Sequence, residues 1–450
     1  MAHDRHDGRA DGRRHDHAGR HCDHQFSSRD RRPMMHAYRF GSAQVAADAS
    51  DLQRHLATAY KGKQRPLCAC QPDGVPMYIA KLEDHYVIKR MPDSGAKHAP
   101  ECPSYEPPAE LSGRGAVLGQ AVQDDGEATN LRLDFSLTKS SGKSAPEATG
   151  RESDSVRTDG AKLTLRGLLH YLWDEAGLNR WSPAMENKRS WALVRRELLS
   201  AVLGKTAKKA PLGQQMFIPE TWSLDRDADL TARRITAMAA LAKVGKTRPM
   251  MIAIGEVKEI TPTRAGAKLV AKHLANFPFM LDGDLHRRFM KRFANAIALW
   301  DGVEGAHLIF IATFGLESTG LATVSTLSAM VVTDRWIPFE DMYDKALLDA
   351  LTSGRRRFVK SLRYNLAENQ TLACAVLTDC DVPTALYVLT PGAPAESSET
   401  LEAVIAESAV PAWVWDADDP MQPLPSPKGA IKALPSPATE GIASDVGATS

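Results

Sequence analysis

No apolar run in this chain is long enough to span a bilayer. The basic N-terminus has no apolar core behind it, so it does not read as a secretory signal. The cytoplasm is therefore the expected location, with no membrane partner. Net charge is almost lacking as well, at +1, which argues against a uniformly basic nucleic-acid coat while leaving room for local patches. Nucleotide motifs fail on inspection. Three GK[ST] fragments, at 142–144, 204–206 and 245–247, each lack the upstream glycine of a phosphate loop, because Leu137, Leu199 and Ala240 stand there. Gly113, Gly115 and Gly119 miss the dinucleotide-binding spacing by one, and neither HExxH nor GxSxG occurs. Cysteine is scarce: Cys22, Cys68, Cys70, Cys102, Cys374 and Cys380. In a reducing compartment these are thiols or metal ligands, not disulfides.

What is there concentrates between residues 68 and 102. Cys68 and Cys70 open this stretch; His98 and Cys102 close it. Between them the runs Met77–Leu82 and Tyr86–Met91 read as two strands joined by a turn at Glu83–Asp84–His85. Antiparallel pairing then carries Cys70 opposite the Lys97–His98 region. Three thiols and an imidazole at the open end of one hairpin suit a closed, structural zinc site, with the four ligand atoms expected within roughly 4 Å of one another. CxC is a tight spacing that needs a sharp backbone turn; HxxxC is ordinary, and Pro100 and Pro103 stiffen it. The alternative reading is three buried thiols beside an unrelated histidine, and Asp73 or Asp93 are possible substitutes for one ligand. Lys81, Lys89, Arg90 and Lys97 lie on or beside the hairpin with Tyr78, Tyr86 and Tyr105 among them. That pattern suits a nucleic-acid-binding finger. It suits equally a solvated hairpin surface whose tyrosines prop a small core.

The expected fold class is α+β and multidomain: an N-terminal zinc-ribbon-like hairpin module, a central helical region and a C-terminal mixed α/β sheet region. Residues 1–36 read as a disordered His/Arg-rich leader. The cysteine module spans 37–119 and includes a helix over Ala46–Tyr60. A strand plus flexible linker follows at 120–160, the strand marked by the alternation of Leu131, Leu133, Phe135 and Leu137. The helical region at 161–215 holds one helix capped by Thr164 and stopped by Gly177, and a second over 191–203. Two such helices also fit a winged helix-turn-helix, or simply a packed core. A strand-rich α+β domain covers 216–335, with strands at Met250–Ile260, Lys268–Leu274, Ala306–Phe314 and Leu321–Thr333 and a helix at Leu285–Trp300. Residues 336–417 read as a degenerate endonuclease-like region, with a helix over Phe339–Leu351 and strands at Phe358–Tyr364, Leu372–Thr378 and Thr384–Leu389. Residues 418–450, rich in Pro, Ser and Ala, read as a disordered tail.

Two carboxylate constellations bear on catalysis. Glu256 and Lys258 end an apolar strand, as the acid and lysine of a metal-dependent nuclease do, but no upstream Asp partner is evident. Glu340 before three strands, with Asp379 after the second, matches an endonuclease-like layout whose third strand should carry an acid and a lysine. Tyr387 and Leu389 stand there instead. Phosphodiester hydrolysis needs converging carboxylates to hold its ion, so no catalytic residue is assigned. Cys374 and Cys380 read as free thiols.

The stretch from Arg65 to Pro108, with GEVKEI (255–260), RWIPFE (335–340) and RRFVKSLRYNL (356–366), resembles a bacterial family of unknown function defined by three N-terminal cysteines and often encoded on plasmids and integrative conjugative elements. The resemblance runs from about Tyr38 to Trp415, and Cys68, Cys70 and Cys102 match the defining cysteines. It implies no catalytic residues and a mobile-element setting, hence DNA, RNA, or conjugation and plasmid-maintenance proteins as partners. The resulting expectation is a zinc-binding, non-catalytic accessory protein that binds nucleic acid or a protein partner. A metal-dependent nuclease and a structural scaffold are the alternatives.

Overall fold

The computed structural model describes residues 36–82, 85–91, 94–124, 128–140, 160–242 and 247–429. Apart from His36 the leader lies outside them, as do the hairpin turn at 83–84 and the end of the tail from 430.

The N-terminal sheet is built from β1 (Ala37–Phe40), β2 (Ala43–Ala46), β3 (Leu67–Cys68), β4 (Val75–Leu82) and β5 (His85–Arg90), in the order β2-β1-β3-β4-β5. The expected hairpin is β4–β5, in register from Met77 opposite Arg90 to Leu82 opposite His85. The helix α1 (Leu52–Lys61) starts later than the expected Ala46, because residues 43–46 pair as a strand before the chain turns. It lies along the free edge of β5. There the Gln53 side-chain amide accepts from Tyr86 N at 3.0 Å and donates to Tyr86 O at 2.9 Å, satisfying backbone groups that an open edge would leave unpaired.

Leu131, Leu133, Phe135 and Leu137 are all buried, so their alternation was informative. Only Thr129–Leu131 is strand, however; Arg132 N and O turn aside to bond Ala121 O and Leu163 N, and the chain bends into the core. The helices α2 (Leu165–Glu175) and α3 (Trp191–Val202) stand as expected. Thr164 Oγ1 accepts from Gly167 N at 2.9 Å and donates to Asn365 Oδ1 at 2.9 Å. One hydroxyl thus caps the helix and ties it to a loop 201 residues away. Thr164→Ala is expected to cost about 1–2 kcal/mol, read by denaturant titration; a change near zero would mean that water replaces both bonds.

The strand-rich region closes on itself. The strand Met251–Thr263 is long enough to pair twice. Its first half pairs with His307–Leu316, from Met251 opposite Phe314 to Glu256 opposite Ile309. Its second half pairs with Gly266–Ala271, beyond a register shift at 257/259. Gly255 sits at the crossover, where a Cβ would come within 2.7 Å of the Phe310 ring. Gly266–Ala271 pairs with Phe279–Asp282, which runs parallel to Ala322–Val332, and that strand returns to His307–Leu316. The ring of five strands is complete. Phe279, Phe310, Phe314, Leu269 and Leu281 fill its interior. Ile252, Ile254, Ile309 and Ile311 project outward into a second core with Leu168, Leu172, Val194 and Leu198 of α2 and α3, so packing continues across the expected boundary at 215/216. The helix expected over Leu285–Trp300 is two helices, Gly283–Arg292 and Ala294–Gly302, broken at Phe293.

The last sheet takes Ala412–Asp416, Thr384–Leu389, Ala375–Leu377, Phe358–Lys360 and Arg180–Trp181 in that order. Its C-terminal part runs helix (Met342–Ser353), three antiparallel strands, helix (Ala395–Glu407), then a strand parallel to the third. Residues 418–429, expected to be disordered, are instead fixed to this sheet. Trp413 Nε1 donates to Pro423 O at 3.1 Å, Arg356 Nη1 to Pro425 O at 2.6 Å, and Lys428 N to Asp379 O at 2.7 Å. Their composition misleads because this segment is held by its carbonyls and by Met421 and Leu424 rather than by a periodic apolar face.

Candidate metal centre

Cys68 ends β3 opposite Val75, and the loop between them turns sharply enough to aim Cys70 back at the same point. Gly74, at φ +76°, allows the return. His98 follows a single 3-10 turn over Gly95–Lys97, and the turn closed by Cys102 N on Ala99 O at 2.8 Å brings in the last sulfur. The convergence was expected, but its route differs. Cys70 does not arrive by extension of the β4–β5 hairpin; a second, shorter hairpin, β3–β4, folds it in.

The four ligand atoms all lie within 4.8 Å of one another, a little looser than expected. Cys68 Sγ is 3.6 Å from Cys102 Sγ, Cys102 Sγ is 3.7 Å from His98 Nδ1, and Cys70 Sγ is 3.3 Å from His98 Nδ1. A tetrahedron with metal–sulfur bonds of about 2.3 Å has edges of about 3.7 Å, so these separations suit one ion. Cys68, His98 and Cys102 are buried, and Cys70 is half-buried. Two backbone N–H groups support thiolate character: Ala99 N donates to Cys70 Sγ and Ser104 N to Cys102 Sγ, each at 3.4 Å. The hydrogen bond between Cys68 and Cys102 pushes one thiol of the pair up and the other down, which favours a thiolate in the cluster. This cluster can hold a metal ion.

His36 was not foreseen, because it reads as the last residue of the leader. Its Nδ1 is 3.8 Å from Cys102 Sγ, and its ring stands edge-on to Tyr38. The available signal was its position directly before β1, the strand that pairs with the cysteine-bearing β3.

The four basic residues divide. Lys81 and Lys97 are exposed. Lys89 Nζ instead donates to Leu203 O at 3.1 Å, and burial, with Lys205 nearby, lowers its pKa to about 8. Arg90 pairs with Glu106. Glu106 also binds Arg114 at 2.9 Å; Arg114 reaches Asp174 at 3.0 Å and Glu175 at 3.3 Å, and Lys205 closes on Glu175 at 2.8 Å. Burial opposes the charge on Glu175, but Lys205 and Arg114 hold it well below the usual carboxylate range. The hairpin is thus tied to α2 through an internal chain of ion pairs that spacing alone does not reveal.

Glu256 and Lys258 are not brought together as an acid–lysine pair: Lys258 is exposed at the register shift, unpaired between Val257 and Glu259, while Glu256 is 3 % exposed. His307 Nδ1 lies 2.6 Å from Glu256 Oε1, and Lys272 pairs with the same oxygen. Burial pushes Glu256 up, but these two partners outweigh it and the net pKa is lowered. A lowered carboxylate contributes stability above its unfolded value, and that contribution is lost as pH falls through the folded one. Glu256→Gln is expected to cost about 1–3 kcal/mol at pH 7 and less in acid, measured by denaturant titration at both pH values. Asp379 grips Arg356 through both oxygens, at 2.8 and 3.0 Å, and Glu340 pairs with Arg363. Among the described residues only the cysteine cluster gathers three or more His, Cys, Asp or Glu ligand atoms.

A family model described as "Protein of unknown function (DUF1173)" matches residues 38–418. No curated protein and no solved structure matches the chain.

Proposed function

The chain belongs to the DUF1173 family of proteins of unknown function, and from that premise, which supplies no activity, we propose that it is a non-catalytic accessory protein stabilised by a structural zinc ion on Cys68, Cys70, His98 and Cys102. The observation that carries the reading is the set of ligand separations near a tetrahedral edge. Three thiolates and an imidazole favour zinc over the hard cations, which take oxygen. Four protein ligands leave no position for a reacting water, so the ion serves folding and not chemistry. The ion-pair chain through Arg90, Glu106 and Arg114 supports the same role, since it fastens the module to α2. The mobile-element setting, and with it a nucleic acid or a conjugation protein as partner, remains part of this proposal on resemblance alone. Atomic emission on the purified full chain tests the metal: about one zinc per chain is expected. Protein that folds with no metal, and takes none up, would overturn the reading.

A further inference from the structure

We infer that the five-stranded barrel carries a binding surface for single-stranded nucleic acid, on the outer face of its second and third strands and the helix that follows. Numbered within the barrel, the strands Met251–Thr263, Gly266–Ala271, Phe279–Asp282, His307–Leu316 and Ala322–Val332 pair in the cyclic order 1-2-3-5-4-1. Strands three and five are parallel, and helices lie between strands three and four. This is the arrangement of barrels that take oligonucleotides or oligosaccharides on the strand 2–3 face, between the loops joining strands one to two and four to five. Fold alone assigns no ligand, so the choice rests on what that face presents.

Charge decides between the two ligand classes. Residues 256–292 contain eight Lys and Arg against four Asp and Glu, whereas the whole chain carries only +1. Glu256 is buried against His307 and Lys272, Asp284 pairs with Arg287 at the surface, Asp282 caps Leu285 N, and Glu259 is exposed. Lys258, Arg264, Arg288 and Lys291 are exposed and Lys268 half-buried. None of these five makes an ion pair among the described residues. Leu269 and Leu281 fill the interior, so their neighbours Lys268 and Met280, paired in register, face outward. Gly266 opposite Asp282 sets the loop bearing Arg264 beside the start of the helix bearing Arg288. The loop between strands four and five adds Leu321, 50 % exposed. The cationic track suits phosphates, and the half-buried Met280 and exposed Leu321 beside it offer apolar contact to bases; a neutral oligosaccharide would have no use for the charge.

This surface is separate from the cysteine cluster and does not depend on the zinc reading. Its test is fluorescence anisotropy of the full chain with a labelled oligothymidylate of about 20 nucleotides, longer than one such barrel covers. Binding should weaken with salt, by a slope of about 0.7 per phosphate contacted. The triple variant Arg264→Glu/Lys268→Glu/Arg288→Glu should raise Kd about tenfold or more and flatten that slope, with an unchanged melting temperature. Lys81→Glu/Lys97→Glu should leave Kd within about twofold of the parent. No binding at low salt, preference for a duplex of the same length, or binding lost in the hairpin variant but kept in the triple one would each overturn the inference. Zinc content stays unchanged in both variants, so failure here and failure of the metal assignment are told apart.

Discussion

Cys102→Ser is expected to empty the metal site and release the β3–β5 module from its fixed geometry. Cys102 is the residue that touches most of the cluster: its sulfur lies against Cys68, His98 and His36 and accepts the Ser104 N–H. Serine neither supplies a thiolate nor spans the same distance, and a three-ligand remnant binds far more weakly. A structural zinc in a small module contributes on the order of 10 kcal/mol to its folding, and the core beneath this one is only Cys68, Val75, Met77, Cys102 and Tyr105 with a few half-buried neighbours. Without the ion, little holds three thiols and an imidazole together in the interior. Zinc content should fall from about one per chain to near zero. Hydrogen exchange should quicken across residues 67–105 while the barrel strands stay protected. His36→Ala, by contrast, should keep most of the metal, because His36 nears only Cys102. Full zinc occupancy in Cys102→Ser would sink the site.

The metal cluster was legible because soft ligands are rare here and their spacing is local. Three cysteines and a histidine within 35 positions, bracketing two alternating runs, leave few arrangements open. What spacing did not convey was the path. The β3–β4 hairpin rests on a two-residue strand and a positive-φ glycine, too little sequence to stand out. The reading of Lys89 and Arg90 as free cations missed for a related reason. Whether a lysine meets a phosphate or a carbonyl such as Leu203 O depends on residues more than a hundred positions away.

The barrel shows the same limit on a larger scale. Four of its five strands were recognised from apolar runs; the missed one, Phe279–Asp282, is four residues long and follows Pro278. Their order was not accessible, because closure depends on Met251–Thr263 changing partners midway, and periodicity does not record partners. The outward isoleucines Ile252 and Ile254 made that strand read as a continuous apolar run, which is the mark of a strand buried on both faces. The endonuclease-like region was read for its carboxylates Glu340 and Asp379, yet the most deeply buried ion pair described there is Asp344–Lys360, which alternation and motif both overlook.

That pair carries the second large effect. Asp344 and Lys360 are each no more than 4 % exposed, with Lys360 Nζ 3.1 Å from Asp344 Oδ2. Asp344 Oδ2 also accepts from Glu340 N at 3.0 Å, while Oδ1 is buried with no partner. Burial, with Glu340 and Asp341 adding to it, pushes the Asp344 carboxyl up to about 6 even though Lys360 opposes the rise. A carboxylate raised above its unfolded value favours the fold fully below that value, and the benefit disappears as pH rises through the folded one. From below pH 3 to above pH 7 the native state therefore loses about 3 kcal/mol at this site, about 2 kcal/mol of it between pH 4 and 6. Lys360→Met removes the cation paired with it. At pH 8 the variant must either bury an unpaired carboxylate or take up a proton, and the cost should be about 3–5 kcal/mol. At pH 5 Asp344 is already largely protonated, so the same substitution should cost clearly less. Asp344→Asn should remove the pH dependence between 4 and 6 that this site contributes. Denaturant titrations of the three proteins at pH 5 and 8 read the difference directly. An equal penalty for Lys360→Met at both pH values would mean that Asp344 does not titrate in this range and that methionine fails through packing alone.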